Sequence, residues 1–194
     1  MLFRSHLAGA INGASIARGV SFLKDDLGKP IFKSNVSIID NPLRMRGPAS
    51  RSFDGEGLAV QQRSFIDKGV LTSWVLDLRS ARQLGLEPTG NGARGPASQP
   101  SPTTTNLHME AGEQSPAELM KAIGTGLLIT DFIGSSINSA TGDYSRGASG
   151  FWIENGEISY PVSEITVAGN LKQMFASLTP ANDLIFKGAT NAPS

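Results

Sequence analysis

The stretch Phe151-Trp152-Ile153-Glu154-Asn155-Gly156-Glu157-Ile158-Ser159-Tyr160 decides the fold. Asn155-Gly156 supplies the two positive-φ residues of a tight type I′ turn, whose twist matches that of antiparallel strands. The predicted hairpin sets Ile153 opposite Ile158, Glu154 opposite Glu157 and Phe151 opposite Tyr160. The like-charge pair costs roughly a few tenths of a kcal/mol on an exposed face. Shared apolar partners hold the register against it. Upstream, the apolar run 127–133 reads as a strand, followed by residues 134–150, rich in Ser, Gly and Asn.

Downstream, Asn170 caps a predicted helix over residues 171–178, with Leu171, Met174, Phe175 and Leu178 on one face and Pro180 ending it. The tail from Ala189 is expected to be loose. Ser115-Pro116-Ala117-Glu118 is a capping box with Pro in the first helical position, opening a helix that Gly124 stops. Residues 80–85 predict a short helical piece with Ser80 as N-cap and Gly85 as terminator. Residues 58–66 and 70–76 flank the three-residue link Asp67-Lys68-Gly69, which suits a bulged hairpin. Residues 31–39 give a short buried strand through Val36, Ile38 and Ile39, and Asp40-Asn41-Pro42 turns the chain.

At the start, Phe3, Leu7, Ala10 and Ala14, with Ile11 beside them, form the apolar stripe of one helix. That helix opens without an N-cap, so sequence is expected upstream. Residues 88–105 hold four Pro, three Gly, one charge and no large apolar side chain. They are expected outside the core, as a functional or a disordered loop.

Composition narrows the function. The 194 residues suit one domain, and 17 Lys+Arg balance 17 Asp+Glu. No basic field gathers phosphates or anionic lipid, which argues against nucleic acid. With 39% hydrophobic residues, burial can offset chain entropy, and 22 Gly with 11 Pro imply many turns. Zero Cys excludes disulfides, thiolate nucleophiles, iron–sulfur ligation and Cys-containing zinc sites. The most apolar window, 119–130, is interrupted by Lys121, Gly124 and Gly126 and is shorter than the about 20 residues a bilayer needs. His6, Gly9 and Asn12 break any signal-peptide core, so a cytoplasmic protein without membrane spans is expected.

A zinc hydrolase needs three protein ligands and an open position. The two His of the chain, His6 and His108, lie far apart in sequence, so no metal or catalytic set is predicted. His6 reads as an amphipathic-helix residue and His108 as a solvent-facing strand residue. There is no Gly-x-Ser-x-Gly elbow, dinucleotide fingerprint or Walker loop. Asp54-Gly55-Glu56-Gly57 puts two carboxylates on one face if extended, for acid–base work or a hard cation, but its glycines favour a solvated turn. Residues 141–150 either present backbone N–H groups and Arg146 to a ligand's carbonyl or carboxylate, or form a structural loop held by an Asp143–Arg146 pair.

From Thr141-Gly142-Asp143-Tyr144-Ser145-Arg146-Gly147 through the hairpin to Tyr160-Pro161-Val162 and Ala168-Gly169-Asn170-Leu171, the sequence resembles the C-terminal region of the PmbA/TldE branch of the TldD/PmbA family. Further resemblances are Ser21-Phe22-Leu23, Ile38-Ile39-Asp40, Phe53-Asp54-Gly55-Glu56-Gly57, Gly69-Val70-Leu71, Ser80-Ala81-Arg82, Thr89-Gly90-Asn91 and Gly124-Thr125-Gly126. The resemblance implies a bacterial cytoplasmic metallopeptidase of two related subunits acting on peptides. In it a TldD-like subunit carries zinc on a His-Glu-x-x-x-His helix, and the PmbA/TldE subunit lacks that motif. Here the corresponding helix reads Ser5-His6-Leu7-Ala8-Gly9-Ala10, with Ser5 and Ala10 in place of the two His. Family members also carry an N-terminal α/β domain, so residues 1–194 are expected to be a C-terminal domain without it. The family's association with DNA gyrase regulation gains nothing from the balanced charge.

The expected fold is therefore α+β: strongly twisted antiparallel sheets, able to curl toward a barrel, with about three short packed helices. The expected function is a non-catalytic, PmbA/TldE-like subunit that shapes a peptide channel. It holds no cofactor itself; zinc belongs to a TldD-like partner, with a homodimer as the other assembly. Asp54, Glu56, Asn106, Asp143 and Arg146 are the candidates for lining that channel along an extended peptide. The alternatives are an autonomous hydrolase using its own carboxylates, with a metal on Asp54 and Glu56, and a peptide-binding scaffold.

Overall fold

The computed structural model describes residues 2–194, with the side chains of residues 2–5 and 135, and so that of Ser5, outside the described set. In chain order the elements are α1 (Leu2–Ala10), α2 (Gly13–Ala17), β1 (Ile38–Asp40), β2 (Arg63–Asp67), β3 (Val70–Leu71), α3 (Leu78–Leu84), β4 (Gly92–Ala93) and β5 (Ser101–Pro102). Then come β6 (Leu107–Met109), α4 (Pro116–Ile123), β7 (Gly126–Ile137), β8 (Asp143–Glu154), β9 (Glu157–Asn170), α5 (Leu171–Ser177) and β10 (Thr190–Asn191). The fold is α+β, with five helices among the described residues rather than about three. Its sheets run β10-β6-β1-β2-β3, β4-β5 and β7-β8-β9, and none closes into a barrel. Every pairing is antiparallel except β10 on β6. No helix among the described residues is long and apolar enough to cross a membrane.

The core lies where the inner face of the first sheet (Ile38, Ile66, Leu71, Leu107, Met109) meets Leu7 and Ile11 from the opening segment and Leu171 and Phe175 from α5. Of the apolar stripe at the start, Phe3 lies outside the described side chains; Leu7, Ala10 and Ile11 are buried, but the stripe does not belong to one helix. The chain breaks after Ala10 because Gly13 donates its N–H to the Val75 carbonyl at 2.8 Å, an approach that leaves no room for a side chain. Asn12 caps the new start by accepting from the Ala14 N–H at 3.0 Å and ties it to Pro102 O at 2.9 Å. A long-range contact outweighs helix continuation here.

Five other expectations are corrected. Residues 31–37 are not strand but wrap the β2–β3 turn, where Ile31 and Phe32 N–H both donate to Gly69 O and Gly69 N–H donates to Val36 O. That turn pairs Asp67 with Val70. Lys68 (φ 47°) and Gly69 (φ 83°) form a two-residue loop rather than a three-residue bulged link. Asp77, not Ser80, caps α3; Ser80 is its third residue and returns the bond in a capping box. Residues 88–105 are partly buried as a polar layer beside the apolar core: Asn91 and Thr105 are buried on Asp40, and Thr89 is buried with its hydroxyl bonded to the Leu76 backbone. The tail is not loose either, because β10 pairs with β6 and Asn191 is 1% exposed.

The meander β7-β8-β9 bears out the decisive hairpin, with Asn155 at φ 53° and Gly156 at φ 79°, Ile153 opposite Ile158 and Glu154 opposite Glu157. A register shift between Phe151 and Ile153 sets Phe151 against Pro161 rather than Tyr160. Residues 143–150 are strand, not loop. The near end of the meander packs on the core through Tyr144, Ile137 and Val167. At its far end Ile158 is 51% and Tyr160 48% exposed, while Ile153 is buried. There α4, capped by Ser115 and Glu118 as expected, sits on the hairpin through Gly156 N–H to Gly124 O at 2.7 Å.

Candidate functional site

Asp143 and Arg146 both stand on β8, but three positions apart, so a strand sends them to opposite faces and they form no pair. Asp143 instead accepts from Thr141 Oγ1 at 2.6 Å and Asn170 Nδ2 at 3.2 Å, and these bonds hold its carboxyl below the usual carboxylate range. Arg146 donates Nε–H to Gly134 O at 2.6 Å and lies 5.0 Å above the Phe132 ring.

Two places before Arg146, and so on its face, is Tyr144, whose ring meets His6 of α1 edge-on at a centroid distance of 5.6 Å. Tyr144 is 3% exposed, and its hydroxyl has no hydrogen-bond partner among the described residues. Burial, then the Arg146 charge, pushes the His6 pKa down, so the imidazole is neutral at neutral pH. Burial raises the phenol of Tyr144, opposed by the charge of Arg146 and by the approach of its guanidinium to the hydroxyl. His6 also lines a cavity of about 200 Å³ walled by Ala10, Ser21, Phe22, Ile137 and Leu171.

The other sequence candidates build loops. Asp54 is buried; its Oδ1 accepts from Glu56 and Leu58 N–H at 2.9 Å each, and its Oδ2 from Gly92 N–H at 2.9 Å. Glu56 Oε2 accepts from Leu78 N–H at 2.8 Å, pinning the same turn to the start of α3. Asn106 accepts from Ala49 N–H at 3.1 Å and donates to Asn41 O at 2.9 Å and Ser50 Oγ at 2.8 Å. None of the three is drawn to the Asp143 and Arg146 strand.

The Asp40 cluster carries no local sequence signal, because its members come from three separate segments. Asp40 accepts from Thr105 N–H, Thr105 Oγ1 and Asn91 Nδ2 at 2.8 to 3.0 Å, yet burial outweighs these bonds and lifts its pKa. Tyr144 is likewise absent from the sequence candidates. The two-residue spacing from Arg146 would have grouped them, once residues 143–150 are read as strand. His108 is half-buried against Phe186 at 5.1 Å, not solvent-facing. Each His thus rests on a separate aromatic ring, and among the described residues no three metal-binding side chains gather, so this donor set does not fit zinc.

Over residues 1–194 the sequence matches the family described as the PmbA/TldA metallopeptidase C-terminal domain. It is 44% identical to the Metalloprotease PmbA of Escherichia coli O157:H7 across 92% of this chain and 38% of that protein, so the chain spans well under half of its relative. A Metalloprotease TldD homolog of Buchnera aphidicola is 26% identical over 94% of this chain and 38% of its own length. The crystal structure of a candidate modulator of DNA gyrase from Bacteroides thetaiotaomicron superposes with a TM-score of 0.85 at 34% identity, covering 97% of this chain and 41% of that one.

Proposed function

Because the chain belongs to the PmbA/TldA metallopeptidase C-terminal domain family, we propose that it acts as a PmbA/TldE-like, non-catalytic part of a zinc metallopeptidase. In this reading it shapes a peptide channel while a TldD-like partner supplies the metal. The observation that carries it is the placement of its imidazoles: His6 and His108 lie on separate elements, each packed on an aromatic ring and neither joined into a ligand set among the described residues. The higher identity to PmbA than to the TldD homolog supports the same choice of branch. Asp54 and Glu56, the carboxylates an autonomous hydrolase would use, accept backbone N–H bonds that fix a turn. That leaves Arg146, on the face of β8 that carries Tyr144, as the channel-facing candidate, with Asp143 on the opposite face bonded to Thr141 and Asn170, and Asp54, Glu56 and Asn106 as the groups that hold the loops behind.

Co-expression with a TldD-like subunit tests the reading. Zinc content and peptide cleavage are expected in the complex and not in this chain alone. Stoichiometric zinc together with cleavage by the isolated chain would overturn it.

A further inference from the structure

A buried hydroxyl normally has a partner, and an orphan in a native structure calls for an explanation. Tyr144 is such an orphan, at 3% exposure. Two neighbours define what could complete it. His6 stands edge-on to its ring at 5.6 Å, uncharged, and so adds hydrogen-bonding capacity without a second positive charge. Arg146 projects from the same face of β8, and its charge is felt by both rings. Its Nε–H is committed to Gly134 O, while its guanidinium also approaches the Tyr144 hydroxyl, short of a well-formed hydrogen bond, and makes no ion pair among the described residues. A planar guanidinium edge beside a phenolic O–H matches a carboxylate, which takes two or more donors in one plane. The cavity of about 200 Å³ beside His6 has an apolar wall of Ala10, Val20, Phe22, Ile137 and Leu171.

We propose that Arg146, Tyr144 and His6 form a carboxylate-binding site, with the adjoining cavity taking an apolar side chain of the same ligand. The identity of the ligand as a peptide rests on the function proposed above. The site itself needs neither zinc nor a partner subunit, so its test is independent of that reading.

The experiment uses the full 194-residue chain and three probes followed by NMR and calorimetry: N-acetyl-alanyl-phenylalanine, its C-terminal amide, and N-acetyl-glutamyl-phenylalanine amide. A main-chain carboxylate site binds the first at least tenfold more tightly than the amide; a side-chain carboxylate site binds the third instead. Either result supports the proposal, with shifts at the His6 and Tyr144 rings. Tyr144→Phe keeps the ring packing and removes only the hydroxyl, so it is expected to weaken carboxylate binding several-fold while Tm stays unchanged or rises. Arg146→Gln is expected to abolish the preference for acid over amide. Equal binding of all three probes, no binding of any, or wild-type affinity in Tyr144→Phe would overturn the proposal.

Discussion

Asp40 shows how one buried carboxylate organises a segment that looks structureless in sequence. Thr105 and Asn91 approach it only as donors. Asp40→Asn turns an NH₂ toward those donors, and the expected cost is about 1–3 kcal/mol, read from urea unfolding. His6 offers a pH test. Its folded pKa lies below the ordinary 6.5, so the unfolded chain takes up the proton first. The stability tied to His6 is full above 6.5 and is lost as pH falls through that value toward the folded pKa. The charges acting on it are Arg146 and, more weakly, the N-terminal amine, with the phenol of Tyr144 beside it. Urea midpoints are therefore expected to fall on acidification, and His6→Gln is expected to flatten that slope.

Among the elements, those written in local chemistry were legible. The Ser115 capping box, the Asn170 cap and the Asn155-Gly156 turn each depend on side chains within a few residues, and each stands as read. Residues 31–37, 88–105 and 143–150 were not, because their conformations are set by partners far along the chain: Gly69, Asp40 and β7. The candidate site shows the same division. Asp143 and Arg146 stand out by residue type, whereas Tyr144 gains meaning only when α1 brings His6 onto it. Within the meander, Gly150 is the least replaceable position, since an added Cβ would run into the Leu128 carbonyl. Gly150→Ala is expected to cost about 1–3 kcal/mol by overpacking, with Tm lowered and amide protection lost along β7 and β8.

Taken whole, the molecule joins two unlike constructions. The body is a sheet of short strands gathered from distant parts of the sequence, with β10 lying parallel to β6 and β6 beside β1. The meander is built of long neighbouring strands of 12, 12 and 14 residues. Its near end shares the body's core, and its far end carries α4. The family relation and the superposition on the Bacteroides thetaiotaomicron structure concern this whole arrangement rather than any single residue.

The meander's adjacency in sequence has a temporal consequence. Zipping β8 onto β9 closes only the short Asn155-Gly156 loop, whereas seating β10 on β6 joins residues 107 and 190 and must bear a larger loop-closure entropy. During refolding from denaturant, amides of β8 and β9 are expected to gain protection from pulse-labelled exchange before those of β6. The ribbon is then waiting, already knitted, when the body condenses around its root.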